Sequence, residues 1–187
     1  MVGIGSKISE FEAEACVDGA IKKVKMSDYR GKWKVLIFYP ADFSFVCPTE
    51  LEEAAKYHDQ FRKLGAEVFS VSTDTAFAHL AWHDTSPAIG KIKYPMLADP
   101  TGRISREFGT YMEDTGLSLR GTFIVDPDGI VKTIEIQDLS IGRNIAETVR
   151  KLEAAIHVRE HPGEVCPVNW AAGNEAMKPS DALVGKI

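Results

Sequence analysis

Residues 35–50 read Val-Leu-Ile-Phe-Tyr-Pro-Ala-Asp-Phe-Ser-Phe-Val-Cys-Pro-Thr-Glu, an apolar run that ends at a proline and leads through a short loop to Cys47. The nearly continuous β-prone run Lys34–Tyr39 predicts a central strand that is covered on both faces. Pro48 suits the first turn of a helix, where its missing N–H costs nothing, and Glu50 suits the positive end of the helix dipole. The thiol of Cys47 is therefore predicted at a helix N-terminus, where free backbone N–H groups and the dipole stabilise the reactive thiolate.

Outward from this stretch, hydrophobic spacing and turn residues predict alternating strands and helices. After the Cys47 helix, which is expected to end at Gly65, the predicted elements are a strand (67–72), a helix (75–82), a short strand (94–98), a helical turn (104–108), two strands joined by a hairpin turn (121–125 and 129–136) and an amphipathic helix (144–160). A small hairpin is expected near Asp18-Gly19. This order predicts an α/β fold with three layers around a mixed central sheet.

The character of the sequence changes after His161-Pro162-Gly163. Residues 164–187 contain prolines and glycines and have no sustained hydrophobic period. We therefore predict one domain over residues 1–161 and a C-terminal arm over residues 162–187. Apolar residues of the arm need a surface to pack against, and a neighbouring subunit is a natural candidate.

Composition excludes several classes of protein. The chain has 187 residues, 44% of them hydrophobic and 26% charged, with a net charge of -5. Nucleic-acid and anionic-membrane binding both need basic surface, which this balance does not favour. Apolar runs of about 20 residues and a signal-peptide h-region are absent from the sequence, so we expect a cytoplasmic protein that is not bound to a membrane.

The three cysteines, Cys16, Cys47 and Cys166, do not form a secreted disulfide framework or a Cys-x-x-Cys pair. A reactive cysteine at the first helix after a central strand is the thioredoxin layout. Thioredoxins have a second cysteine three positions later, where this chain has Glu50. A partner cysteine, if there is one, must come from far away in the sequence.

Two longer segments resemble a known family. Residues 38–50 closely resemble the active-site segment of typical 2-Cys peroxiredoxins, and residues 161–167, His-Pro-Gly-Glu-Val-Cys-Pro, resemble a second signature of that family. Residues 71–74 and the ending 183–187 also match, and together they resemble the bacterial alkyl hydroperoxide reductase C group of this family. The resemblance covers nearly the whole chain and implies a thioredoxin-like fold.

The resemblance also implies a role for five residues. Cys47 would be the peroxidatic cysteine, whose thiolate attacks the peroxide and becomes a sulfenic acid. Pro40 would shield that intermediate from water, and Ser44 would hydrogen-bond the thiolate and the peroxide. Arg120 would stabilise the thiolate and polarise the peroxide, and Cys166, on the arm of a partner subunit, would form an intersubunit disulfide with Cys47.

The implied function is a thiol-dependent peroxidase that acts on hydrogen peroxide and alkyl hydroperoxides. The sequence contains no flavin or nicotinamide motif, so we expect no cofactor, and a flavoprotein disulfide reductase or a thioredoxin-like protein would supply the electrons. A homodimer is the minimum assembly, and relatives form rings of five dimers. The alternatives are a general thiol-disulfide oxidoreductase, which the missing Cys-x-x-Cys disfavours, and a holdase chaperone.

Other candidate residues receive simpler interpretations. Cys16 is expected to be a packed thiol, and Trp82 to pack near the active-site pocket. His79 and His83 have i, i+4 spacing but lack the His-Glu-x-x-His pattern and an evident third ligand, so a polar helix face is favoured over a metal site. Glu50 is expected either to complement the helix dipole or to organise Arg120. Arg143 is expected to pair with an acidic group that the sequence does not identify.

One departure from the family concerns overoxidation. Relatives that peroxide inactivates easily carry a Gly-Gly-Leu-Gly loop and a Tyr-Phe element in a C-terminal helix. This chain has Asp-Thr-Gly-Leu at residues 114–117 and ends without Tyr-Phe. We therefore predict an enzyme that resists inactivation by peroxide.

Overall fold

The computed structural model describes residues 1–186, and Ile187, the last residue of the predicted arm, lies outside them. The chain divides into two compact units, one ending at Ile145 and the other beginning at Ala146. The long helix that precedes the predicted arm therefore belongs to the same compact unit as the arm. The predicted division into a domain over residues 1–161 and an arm over residues 162–187 remains a prediction.

Seven strands form one mixed sheet in the first unit. They are β1 (Glu12–Val17), β2 (Ala20–Lys25), β3 (Trp33–Phe38), β4 (Ala66–Ser72), β5 (Met96–Ala98), β6 (Arg120–Val125) and β7 (Val131–Gln137). The strand order is β2-β1-β5-β4-β3-β6-β7. Strand β4 pairs in parallel with β3 and with β5, and the remaining pairs are antiparallel. The predicted α/β class and mixed sheet are confirmed.

Strand β3 is an interior strand of the sheet, covered on both faces as the sequence predicted. All six of its residues are buried, which matches its unbroken apolar sequence. It lies between β4 and β6. Leu36 and Phe38 join a large apolar cluster on one face of the sheet, together with Phe69, Phe108 and Phe123. The residues that alternate with these along β3 point to the other face of the sheet, because successive side chains of a strand point to opposite faces.

The helices are α1 (Cys47–Lys56), α2 (His58–Lys63), α3 (Ala76–Thr85), α4 (Arg103–Glu107) and α5 (Ile145–Glu160). Helix α1 begins at Cys47 as predicted, but the expected helix to Gly65 is interrupted at Tyr57, whose ψ is -1°. Gly65 ends α2 in the left-handed region, with a φ of 71°, where glycine avoids the steric cost of a side chain. None of the helices that the structure describes is both long and apolar enough to cross a membrane.

The second unit contains most of α5 and the segment that follows it. After α5, the backbone of Val165 exchanges two hydrogen bonds with Met177, at 2.8 and 3.0 Å, so this segment folds back on itself. A single 3₁₀ turn follows at Asp181–Leu183. The predicted irregular character of residues 164–186 is confirmed.

Candidate active site

Cys47 is the first residue of α1 and is completely buried. The residue before it, Val46, is the N-cap and contributes no side-chain hydrogen bond. Its carbonyl instead accepts backbone bonds from Thr49 at 3.1 Å and Glu50 at 3.3 Å, and the Thr49 hydroxyl at 2.6 Å. These three hydrogen bonds stabilise the first turn of α1, in which Cys47 lies.

Arg120 is the residue that the fold brings to this sulfur. Arg120 is the first residue of β6. Its side chain is on the same face of the sheet as that of Thr122, which pairs with Ile37 of β3. That face is opposite the one that carries the large apolar cluster. Nη1 of Arg120 lies 3.3 Å from Cys47 Sγ. Its Nε donates to the carbonyl of Leu139 at 2.8 Å, which fixes the plane of the guanidinium group. Two residues 73 positions apart in sequence therefore form one contact.

Glu50 joins two buried arginines. Its Oε2 accepts from Arg120 Nη1 at 2.7 Å, and its Oε1 accepts from the backbone N and Nε of Arg143 at 2.9 and 3.1 Å. Arg143 also donates to the carbonyls of Gly121 and Phe38, at 3.3 and 2.6 Å. The acidic partner of Arg143 is thus Glu50, and the role of Glu50 as an organiser of Arg120 is the better of the two interpretations.

The charges of this cluster do not balance without the sulfur. Arg120 and Arg143 carry one positive charge each, and Glu50 supplies one negative charge. Burial lowers the pKa of Arg143, while the neighbouring Glu50 acts in the opposite direction. A thiolate at Cys47 would neutralise the remaining positive charge, and buried charges are stable only when they are paired. The cluster is therefore complementary to a negative charge at the position of the Cys47 sulfur.

Pro40 and Ser44 lie in the loop between β3 and α1. Pro40 is buried and Ser44 is partly buried. The Ser44 hydroxyl donates to the carbonyl of Ala41 at 2.8 Å. Because its proton is used in this way, the Ser44 oxygen is able to accept a hydrogen bond from the O–H of a peroxide. Donation to the thiolate would require the hydroxyl to rotate.

A buried polar network that contacts the loop between β3 and α1 was not predicted from the sequence. Asp42 accepts from Tyr39 Oη at 2.7 Å, and its other oxygen lies 2.7 Å from Nδ1 of His79, which is completely buried. The backbone N–H of Asp42 donates to Asp74 at 2.9 Å, and Asp74 also accepts from Ser72 at 2.7 Å. This network joins the loop to β4 and α3.

The polar helix face predicted for His79 and His83 is therefore wrong for His79. The second ring nitrogen of His79 lies 3.2 Å from the carbonyl of Leu97, so both nitrogens have partners. Its burial could have been inferred from its spacing with Ala76 and Trp82, the other buried residues of α3. The acceptors on the loop and on β5 could not, because they are far away in sequence.

Three aromatic rings lie close together at the loop before Cys47. Trp82 is buried, and its ring centroid lies 5.9 Å from that of Phe43 and 6.3 Å from that of Tyr39. Phe43 has a φ of 54°, an unfavourable value for a bulky residue. Trp82 therefore packs against the loop that precedes Cys47, as the sequence predicted.

Cys166 belongs to the second unit and is partly buried. Its Sγ lies 3.8 Å from the carbonyl of Ala154 in α5. Partial burial raises the pKa of the Cys166 thiol, and the positive charge of Arg150 opposes this effect. Cys16, in contrast, is buried in β1, where burial raises the pKa of its thiol, and it fits the packed thiol predicted for it.

Known proteins are similar to this chain over nearly its whole length. The AhpC/TSA family matches residues 4–134, and the C-terminal domain of 1-Cys peroxiredoxin matches residues 155–186. Alkyl hydroperoxide reductase C of Amphibacillus xylanus is 52% identical over 98% of both chains.

Two solved structures are also similar. The crystal structure of Enterococcus faecalis AhpC has a TM-score of 0.86 and 50% identity, and covers 89% of this chain and 100% of that one. The reduced 2-Cys peroxiredoxin of Plasmodium vivax has a TM-score of 0.92 and 36% identity, and covers 97% of this chain and 96% of that one. These similarities confirm the thioredoxin-like α/β fold, and the chain belongs to the AhpC/TSA family of peroxiredoxins.

Proposed function

We propose that this chain is a thiol-dependent peroxidase that reduces hydrogen peroxide and organic hydroperoxides through Cys47. The observation that carries the proposal is the 3.3 Å contact between Arg120 Nη1 and the Cys47 sulfur at the start of α1. A guanidinium group and a helix N-terminus together stabilise a thiolate and the charge that develops on a leaving oxygen. Membership of the family, with relatives named alkyl hydroperoxide reductase C, supports the same reaction.

In the first step, the Cys47 thiolate attacks one oxygen of the peroxide. The S–O bond forms as the O–O bond breaks, and the other oxygen leaves as water or an alcohol after it takes up a proton. The sulfur is oxidised to a sulfenic acid and the peroxide is reduced. Arg120 and Ser44 are the groups that would orient the peroxide, and Pro40 would limit access of water to the sulfenic acid.

In the second step, the thiol of Cys166 from a partner subunit attacks the sulfenic acid, and a disulfide and water are formed. The Cys47 sulfur has no exposed surface, so the first turn of α1 must open before two sulfurs approach bonding distance. Tyr94 Oη donates to the carbonyl of Leu51 at 2.9 Å, and both residues are completely buried. We therefore expect opening to be confined to residues before Leu51.

A dithiol protein must then reduce the disulfide. We propose a flavoprotein disulfide reductase or a thioredoxin-like protein as this partner, with the reaction taking place in the cytoplasm. The intersubunit disulfide requires a homodimer, and we propose that dimers assemble into decamers. Support for these finer points comes from the resemblance of residues 161–167 and the rest of the chain to the family.

The alternatives differ in their need for Cys47. A general thiol-disulfide oxidoreductase is disfavoured because Glu50 occupies the position of a second local cysteine and is engaged with two arginines. A holdase chaperone would remain active after replacement of Cys47, whereas a peroxidase would not.

The test uses non-reducing gels after treatment with one equivalent of peroxide. We expect the wild type and Cys16→Ser to give a disulfide-linked dimer, and Cys47→Ser and Cys166→Ser to remain monomeric. In Cys166→Ser, a reagent that traps sulfenic acids should label Cys47. A wild-type protein that is oxidised but stays monomeric would contradict the intersubunit disulfide, and peroxide consumption by Cys47→Ser at the wild-type rate would contradict the peroxidase itself.

A further inference from the structure

Two histidines and one glutamate form a cluster in the second unit, away from the cysteine of α1 in sequence and assigned no role by the peroxidase reaction. One potential ligand atom from each of His157, His161 and Glu164 lies within 4.8 Å of the others. His157 is in the last turn of α5, His161 follows the helix, and Glu164 is in the loop that leads to Cys166.

The backbone fixes the two histidines on one side of the chain. The N–H of His161 donates to the carbonyl of His157 at 2.9 Å, which continues the helical i, i+4 bond beyond the end of α5. The two imidazole rings consequently stack, with centroids 4.2 Å apart and planes 18° apart. Histidines at i and i+4 are a recurrent way to present two nitrogens to one metal ion.

Each ring is also oriented by a second contact. Nδ1 of His161 lies 2.9 Å from the carbonyl of His157, a contact that requires the proton on Nδ1 and leaves Nε2 to act as a ligand. The His157 ring packs against buried Trp170, with centroids 4.9 Å apart. Nε2 of His157 lies 2.9 Å from Oε2 of Glu164, so this nitrogen and this carboxylate already face each other.

The simpler interpretation is an ion pair between His157 and Glu164. That pair uses two members of the cluster and leaves the neighbouring His161 outside it. Around a tetrahedral zinc ion, with bonds of about 2.1 Å, neighbouring ligand atoms are about 3.4 Å apart. Each of the three side chains places one potential ligand atom within 4.8 Å of the others, which is only somewhat wider than that separation.

We propose that His157, His161 and Glu164 form a binding site for a divalent transition-metal ion of the zinc type. Two imidazole nitrogens and one carboxylate oxygen are ligands that this class of ion prefers, and water would complete the coordination. The ion would link the end of α5 to the loop that leads to Cys166, because its ligands come from both sides of Pro162-Gly163 in the sequence.

This position has a consequence for the peroxidase reaction. Glu164 is two residues before Cys166, so a bound ion would restrain the backbone that carries this thiol. We expect the ion to slow disulfide formation, since that step requires Cys166 to approach a second sulfur. This consequence rests on the proposed function, whereas the metal site itself does not.

Binding is tested with Zn²⁺ by calorimetry and with Co²⁺ by visible absorption, on the reduced full-length protein. Wild type should bind one ion per chain with a cobalt spectrum that lacks thiolate charge-transfer bands. Because changes to groups that only support a ligand cost 10–100-fold in metal affinity, His157→Gln, His161→Asn and Glu164→Gln should each weaken binding at least about tenfold. Glu164→Gln is the most informative variant, because it keeps the shape of the side chain and loses only the charge.

Two substitutions serve as matched controls. His58→Gln removes a histidine from α2, and Glu153→Gln removes a carboxylate from α5 outside the cluster; both should bind zinc as wild type does. Unchanged melting temperatures would exclude unfolding as the cause of lost binding. The site is excluded if wild type binds neither ion, or if all three cluster variants bind with wild-type affinity.

The consequence is tested by the rate of dimer formation after one equivalent of peroxide, with and without one equivalent of Zn²⁺. Zinc should slow wild type and leave His161→Asn, which retains all the cysteines, unaffected. If zinc slowed both proteins equally, the effect would be due to zinc binding to the thiols. The expectation that an ion at the histidine site slows disulfide formation would then be wrong. Failure of zinc-free wild type to form dimers would contradict the proposed function, and the calorimetric result would still decide the metal site.

Discussion

Glu50 is the residue on which the geometry around Cys47 depends. Its side chain is 2% exposed and contacts Arg120 and Arg143, whose side chains are 5% and 1% exposed. Each arginine also donates to backbone carbonyls, so the guanidinium planes are fixed by several bonds. The carboxylate thereby positions Arg120 against the sulfur while leaving one positive charge for the thiolate.

Replacing Glu50 with glutamine should therefore destabilise the protein strongly. The variant keeps the volume of the side chain but leaves two buried guanidinium groups without a carboxylate, and loss of one partner of a buried ion pair costs about 3–5 kcal/mol. We also expect slower oxidation of Cys47, because Arg120 loses its positioning contact. Urea denaturation and stopped-flow measurements with peroxide check the two effects.

Glu53→Gln is the matched control for this prediction. Glu53 lies in the same helix, but its side chain is 44% exposed and pairs only with Lys56 among the contacts described. It should leave both stability and the oxidation rate close to those of wild type. Equal effects of the two substitutions would show that the buried network has no special importance.

At the scale of elements, the beginning of β6 decides where Arg120 lies. Gly121 follows it, and a Cβ at this position would come within 2.6 Å of the Thr110 methyl group and 2.9 Å of the Phe123 ring. Both neighbours are buried, so neither has space to move away easily. Close packing at this glycine thus fixes the strand end that carries Arg120.

Gly121→Ala should destabilise the protein by about 1–3 kcal/mol, the usual cost of overpacking a core. It should also slow the reaction of Cys47 with peroxide, because the adjacent Arg120 would shift. Gly3→Ala is the control, since a Cβ there meets nothing within 4 Å. An alanine variant at residue 121 with wild-type stability and rate would refute this account.

The segment after α5 presents Cys166 as a thiol that ionises less readily than an exposed one. Burial raises the pKa of Cys166. The neutral thiol therefore favours the folded state below the unfolded-state pKa, and this contribution is lost as the pH rises through the folded-state pKa.

Alkylation of Cys166 should show this shift directly. The rate plotted against pH should have its midpoint at higher pH in the folded, reduced protein than in the urea-unfolded protein, whatever the steric effect on the absolute rate. Arg150→Gln should raise the midpoint further, because it removes the opposing positive charge, and Arg150→Lys should not. Coincident midpoints in folded and unfolded protein would contradict the prediction.

At the scale of the whole molecule, the fate of the sulfenic acid is a competition between Cys166 and a second peroxide. The first turn of α1 is held by the few bonds to Val46 and has no side-chain cap. Beyond Glu160, the residues up to 186 contain no α-helix, only the turn at Asp181–Leu183. Easy opening of α1 favours the thiol in this competition.

We therefore predict resistance to overoxidation. Peroxide at concentrations that inactivate the sensitive class should leave activity intact, and mass spectrometry should find little sulfinic acid at Cys47. Cys166→Ser, which lacks the competing thiol, should accumulate sulfinic acid at lower peroxide concentrations. Loss of wild-type activity over the same range as the sensitive class would refute the prediction.

Local sequence determined much of this protein. The apolar run before Pro40 gives a strand buried on both faces, and Pro48 with Glu50 marks the start of α1 at Cys47, because helix ends and buried strands depend on neighbouring residues. Resemblance to a family supplied Arg120, Ser44, Pro40 and the second cysteine, which no local pattern identifies.

Only the tertiary structure decided which polar groups meet. The partner of Arg143 is 93 residues away in sequence, and the partner of His79 is 37 residues away. Such pairs depend on the order of the strands in the sheet and on which residues of β3 and β6 point to the same face. Neither follows from the spacing of residues within one short segment of sequence. The sequence by itself determined a thiol at the start of a helix behind a central strand; the assembly of the sheet determined the charges around that thiol, because buried charges must find partners and only the fold brings those partners together.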